Sequence, residues 1–230
     1  ASGLVAFVVG VIFLRIRGFS LAIVTFAFAE IVRLVFSNLE VFGGHGGIMG
    51  IAPLPALSVP GFGTVSFDSP LSSYYVMLMI LLISAAFMWR MDRSALGRTF
   101  KSLPQNEDMA ESLGIRPLKY KLIGFVTACF FAGVTGAFTA HYYGILSPAS
   151  FTVLQSIFVQ IQGTVGGVYS VVWGGLLGAS VMVGFETWLL KIDARWVLIF
   201  YGSIIIAVTF LLPDGLLSLP EKVKRFFSRT

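Results

Sequence analysis

The chain has 230 residues, of which 57% are hydrophobic and only 12% charged, and its mean hydropathy is +0.89. Soluble domains carry about 25% charged residues, so this chain has too few polar side chains to cover a water-soluble fold. Its net charge of +5 comes from basic residues beside apolar segments rather than from a separate basic domain, which argues against a nucleic-acid partner.

Several apolar runs approach or exceed the roughly 18–20 residues needed to cross a hydrocarbon core, and they are too long for the ~10-residue strands of a membrane barrel. The pattern predicts an all-α polytopic transmembrane helical bundle, a single domain over 1–230 with about seven spans or partial spans. The first span, 2–14, is short. The chain opens on ASGLVAFVVG with neither methionine nor basic leader, so it reads as a fragment lacking upstream spans.

The second span, 19–38, holds Glu30 and Arg33. Three residues apart, they are neighbours on one helix face, and an ionisable pair at membrane depth is a functional candidate. The connection 39–72 follows, with no Lys or Arg. Within it GGHGGIMG (43–50) contains Gly43, Gly44, Gly47 and Gly50, a composition that permits positive φ and close backbone approach. His45 lacks neighbouring ligand types, so no metal site is expected.

After the third span, 73–91, comes the polar stretch 98–121, RTFKSLPQNEDMAESLGIRPLKYK. Ser102 as a cap, Gln105 three residues on and Pro104 in the first turn predict a helix start, while Gly114 with Pro117 predicts its end. The result is a short helix over 103–113, with Leu103, Met109, Ala110 and Leu113 as an apolar strip and Glu107, Asp108 and Glu111 elsewhere. Its acidic face suits a protein partner better than anionic headgroups.

The remaining spans are 120–141, 151–165, 171–190 and 194–212. Gly124, Ala128, Ala132, Gly136 and Ala140 recur every fourth residue in the first of these, and Gly174 with Gly178 and Gly175 with Ala179 in the third, marking close-packed helix faces. The 151–165 segment carries Gln155, Gln160 and Gln162 and either faces the protein interior or enters only part of the bilayer. Glu186, nearer a span end, reads as structural, and Cys129 as a small packing residue.

Basic residues set the orientation. Arg90, Arg93, Arg98, Lys101, Arg116, Lys119 and Lys121 surround the polar stretch, Lys222, Lys224, Arg225 and Arg229 lie in the tail 213–230, and Arg15 and Arg17 flank the first turn. Alternating spans bring all three clusters to one side, expected to be cytoplasmic, leaving 39–72 outside. No phosphate loop, HExxH or convincing nucleophile arrangement is present, so no enzyme activity and no cofactor are expected, and any ATP is left to another chain.

The stretches LRIRGFSLAIVTFAFAEIVRLVFSN, GGHGGIMGIAPLP, ALGRTFKSLPQNEDMAESLGIRPLKYKLIGFVTACFFAGVTGAFTAHYYGILSPASF, GTVGGVYSVVWGGLLGA and FLLPDGLL, in that order, resemble the permease subunits of branched-chain amino acid ABC importers of the LivM type. The resemblance covers nearly the whole chain, with departures at Pro104, Gln105 and Gly175. It implies a multi-pass inner-membrane subunit that works with a second permease, two cytoplasmic ABC ATPases and an external binding protein, set in lipid and carrying a small amino acid. It also implies that Asn106, Glu107, Ala110, Glu111 and Gly114 belong to a cytoplasmic coupling helix that docks on an ATPase. The segment with Gly43, Gly44, Gly47 and Gly50 would face the binding protein. The alternative is an ion-coupled secondary transporter or channel, with Glu30 as its strongest coupling site.

Overall fold

In hydrocarbon every backbone N–H and C=O must be satisfied within the segment, so apolar runs of this length are stable as helices. The computed structural model describes residues 1–230 except Arg17, 54–56, 60–62, 66–68, 104–106, 168–170, Ile192, Ala194, 212–214 and 216–230. The helices are α1 (Ser2–Phe13), α2 (Phe19–Asn38), α3 (Pro70–Arg93), α4 (Ala95–Ser102), α5 (Glu107–Ser112), α6 (Pro117–Tyr143), α7 (Val153–Gly166), α8 (Val171–Leu190) and α9 (Arg195–Leu211). Strands are minimal: β1 (Ile48–Met49) pairs with β4 (Ile145–Leu146), and β2 (Leu57–Val59) with β3 (Gly63–Val65), both antiparallel.

Helices α2, α3 and α6, and residues 172–190 of α8, are long and apolar enough to cross a membrane, while α1 and α9 are shorter apolar helices. Each predicted span therefore contains a helix among its described residues, and the chain is a multi-pass, all-α membrane bundle. Two spans extend beyond their predicted limits because their caps lie further out. Ser69 accepts a bond from the Ser72 N–H at 3.2 Å with Pro70 at the first helical position, so α3 starts three residues early. Gly144, at φ 67°, closes α6 with its N–H on Ala140. The 14 residues of α7 reach only about 21 Å at helical rise, short of a ~30 Å core.

The chain divides into two units, Ala1–Val153 and Leu154–Thr230. In the first, α1 lies antiparallel along α6. A Cβ on Gly133 would run into the Ser2 side chain, and one on Gly10 would come within 2.7 Å of Leu122. The stripe Gly124 to Ala140 does not form one packed face: Gly124 sits under Phe100 and Ala140 is buried, but Ala128 and Ala132 are exposed. A repeat of four in a helix of 3.6 residues per turn drifts by about 40° per step, so the stripe winds around α6.

In the second unit α7 and α8 approach at backbone distance. A Cβ on Gly166 would overlap the Gly174 carbonyl, and one on Gly178 would overlap the Gln162 carbonyl. Gly174 and Gly178 thus meet the expectation of close packing, whereas a Cβ on Gly175 would have open space. The core here is Ile161, Val165, Met182, Val197, Tyr201 and Val208, with Phe158 stacked on Tyr201 at 4.1 Å between centroids.

Candidate functional site

The polar stretch is organised as two short helices rather than one. Ser94 leaves helical geometry at ψ 175° and ends α3. The chain then turns into α4, whose Leu96, Phe100 and following Leu103 recur at four and three residues, the spacing of an apolar helix face. Phe100 stands edge-on to Tyr120 of α6 at 6.4 Å, Leu103 is 4% exposed, and Lys101 binds Asp92 of α3 at 2.9 Å. So α4 is fastened to both neighbouring spans. Ser102, expected to open the short helix, instead closes α4, its hydroxyl donating to the Thr99 carbonyl at 2.9 Å.

Helix α5 follows and ends as expected at Gly114, which has φ 80°. The Gly114 N–H bonds to Glu111 at 2.9 Å and the Ile115 N–H to Ala110 at 3.0 Å, the paired bonds of a Schellman stop. Ala110 is buried, but Met109 and Leu113 are 63% and 77% exposed. The predicted apolar strip is therefore divided between an inward face, with Leu103 and Ala110, and an outward face, with Met109 and Leu113.

The glycine-rich loop lies at the other end of α6. Gly43, Gly44, Gly47 and Gly50 all have positive φ. At Gly47 the need for glycine is also steric, because a Cβ would overlap the Leu146 carbonyl and lie 2.7 Å from Ser147 Cα. The β1–β4 pairing joins this loop to the segment after α6, and the His141 ring N–H donates to the Ala52 carbonyl, Nδ1 to O 2.7 Å.

Within α2, the Arg33 Nε lies 3.1 and 3.0 Å from the two Glu30 carboxylate oxygens, and a terminal guanidinium nitrogen also reaches Oε1. The pair is internally neutralised. In the second unit, the Gln162 amide donates to the Tyr201 oxygen at 3.1 Å and the Tyr201 hydroxyl donates to Glu186 at 2.8 Å, joining α7, α9 and α8. Among the described residues no three or more His, Cys, Asp or Glu side chains converge as a metal site would require.

Residues 1–209 match the model of the family described as branched-chain amino acid transport system, permease component. The chain belongs to this permease family. It is 32% identical to the high-affinity branched-chain amino acid transport system permease protein LivM of Salmonella typhimurium, over 94% of the chain and 55% of that protein. With LivM of Escherichia coli strain K12 it shares 32% over 92% of the chain and 53% of the relative. The LivH permease protein of the same E. coli strain is 24% identical over 57% of the chain and 42% of its own length. The chain thus spans about half the length of the LivM relatives it matches. No solved structure gives a significant match.

In this permease-family chain, Ala110 lies in α5 and Gly114 forms the Schellman stop just past its end, with Glu111 exposed beside them. Glu107 is the first residue of that helix, its side chain outside the described residues, as is Asn106 altogether. Among the described residues, the ion pair of Glu30 and Arg33 is with each other and with no other charged side chain. Two features escaped the sequence reading. Helix α4 had a signal in its apolar spacing, but the Gln162–Tyr201–Glu186 chain had none, since its members lie 39 and 15 residues apart.

Proposed function

We propose that this chain is the membrane-spanning permease subunit of an ATP-driven ABC importer for branched-chain or related amino acids, working by alternating access in the inner membrane. It pairs with a second permease, takes its power from two cytoplasmic ATPases and receives cargo from an external binding protein. The observation that carries this reading is the pair of short helices between α3 and α6: α4 is tied to α3 by Lys101 on Asp92 and to α6 by Phe100 on Tyr120, and α5 ends in the Schellman stop at Gly114. A ligand shifts a conformational equilibrium only through contacts that differ between states, and a lever transmits such a shift only if it does not bend. The exposed Met109 and Leu113 give α5 an apolar pair to set into a groove on an ATPase, next to residues 106, 107, 111 and 114.

Arg90, Arg93, Arg98, Lys101, Arg116 and Lys119 gather at this end of α3 and α6, which supports a cytoplasmic position. The glycine-rich loop, about 40 Å away along the 27 residues of α6 at helical rise, then faces the binding protein. An ion-coupled transporter is less well supported, because Glu30 is already matched by Arg33 and offers no uncompensated acid.

The test is uptake of labelled leucine into proteoliposomes holding the permease pair and the ATPases, with binding protein present and ATP supplied to the ATPase side. Uptake that requires ATP, ATPases and binding protein together is the expected result. Uptake driven by an ion gradient in the complete absence of ATP would overturn the reading.

A further inference from the structure

At the C-terminal turn of α3, Trp89, Arg90, Arg93 and Ser94 line an open cavity of about 320 Å³. Spacings of three and four residues put Arg90 and Trp89 beside Arg93 on the helix surface. The Arg93 guanidinium lies over the Trp89 ring, 4.1 Å from its centroid. Such stacking holds the guanidinium plane in place and leaves its N–H edge for an acceptor.

The acid best placed to occupy those donors is engaged elsewhere. Asp92 is the sole carboxylate of α3, and α4, folded back beside that helix, brings Lys101 Nζ to 2.9 Å from its Oδ1 and 3.1 Å from its Oδ2. The Ser94 hydroxyl is likewise used, donating to the Met91 carbonyl at 2.6 Å. Among the described residues neither Arg90 nor Arg93 has a carboxylate at ion-pair distance. The cavity therefore gathers two cations whose local counter-charge the fold has taken away.

Depth narrows the choice of anion. The 24 residues of α3 measure about 36 Å at helical rise, a few Å more than a ~30 Å hydrocarbon core. Its last turn thus reaches headgroup level, where tryptophans such as Trp89 concentrate. The arginines stand on the span itself rather than on α4 or α5, so a soluble acidic partner would have to reach into the headgroup layer to meet them.

We infer that this cavity binds the headgroup phosphate of an anionic phospholipid, with Arg90 and Arg93 holding the phosphate oxygens and Trp89 packing beside the glycerol. The site requires α3 to cross the bilayer and is independent of the cargo. The α4 fold-back is part of it, because Lys101 keeps Asp92 from competing for the arginines.

Native mass spectrometry of the full-length protein with its partner subunits, released from nanodiscs of phosphatidylethanolamine mixed with phosphatidylglycerol, reads the site directly. Wild type should retain phosphatidylglycerol in preference to phosphatidylethanolamine. The R90Q/R93Q double variant should lose that preference by about tenfold or more, since each basic residue near an anionic surface contributes roughly a fivefold gain. Lys119→Gln, which removes one charge at the same end of the bundle but none from the cavity, should cost no more than the roughly fivefold of a single surface charge. Asp92→Asn should leave retention intact or raise it, whereas Lys101→Ala should lower it by releasing Asp92. Equal retention by wild type and the double variant would overturn the inference, as would an equal loss in Lys119→Gln. Displacement of the lipid by millimolar inorganic phosphate would reassign the site to a free anion, and loss of ATPase co-purification with lipid retention unchanged would reassign it to a protein partner. Either result overturns the lipid assignment.

Discussion

Tyr201 on α9 donates its hydroxyl to the Glu186 carboxylate on α8, 2.8 Å away, while accepting from the Gln162 amide on α7 at 3.1 Å. Tyr201 is 1% exposed, so both partners depend on one oxygen where water has little access. Tyr201→Phe keeps the stack on Phe158 but removes that oxygen, and is expected to lower stability by about 1–3 kcal/mol. Tyr201→Ala adds a cavity and should cost about 3–5 kcal/mol. Thermal unfolding in detergent should rank wild type above Phe and Phe above Ala; equal midpoints for wild type and Phe would mean the hydrogen bonds add nothing.

The α7–α8 crossing offers a test with its own control. Gly178→Ala places a methyl on the Gln162 carbonyl and Gly166→Ala one on the Gly174 carbonyl, so each should destabilise by about 1–3 kcal/mol or more. Gly175→Ala, beside Gly174, meets open space and should fall within about 0.5 kcal/mol of wild type. The readout is again the unfolding midpoint, and an equal effect at positions 175 and 178 would contradict the close approach.

In the glycine-rich loop, Gly47 and Gly50 share a positive φ but differ in surroundings. Gly50→Ala meets nothing within 4 Å and should bear only the ~1–2 kcal/mol strain of left-handed geometry. Gly47→Ala adds a collision with the Leu146–Ser147 backbone and should break the β1–β4 pairing. Affinity for the external binding protein, measured on the assembled transporter, is expected to fall far more in Gly47→Ala than in Gly50→Ala. The two variants binding equally well would remove this loop from the interface.

Gly114→Val tests the lever. A β-branched residue at φ 80° is strained, and the Schellman bonds to Ala110 and Glu111 would open. Uptake should fall to background and ATPase co-purification should weaken, with membrane insertion unchanged. Gly114→Asn, which tolerates left-handed geometry better, should retain much of both, and Glu107→Arg should repeat the loss without touching the helix stop. Normal uptake in Gly114→Val would exclude α5 as the coupling element.

Much of this architecture follows from sequence for a simple reason. A long apolar run has one way to satisfy its own backbone in a membrane, so α2, α3, α6 and α8 were legible from length and composition. Glycine is similarly direct, because positive φ has few other occupants; the stop at Gly114 and the loop conformations at Gly43, Gly44, Gly47 and Gly50 needed no neighbours to be foreseen.

Serine was less informative, since a hydroxyl serves either end of a helix. Ser102 looked like the start of one helix and is the end of another, and α4 was hidden among basic residues that also mark a membrane boundary. Small-residue spacing misled along much of α6 and at Gly175 of α8 but held at Gly174 and Gly178, because what makes such a residue a contact is the helix placed opposite it.

The sequence by itself determined the membrane class, the order of helices and the places where the backbone must bend, all of which depend on local geometry and on the scarcity of water in the bilayer. Only the tertiary structure decided which polar groups meet: Lys101 with Asp92, His141 with Ala52, Tyr201 with Gln162 and Glu186. Those contacts join residues from different helices or loops, and a hydrogen bond or ion pair depends on a distance of about 3 Å that no spacing along the chain encodes.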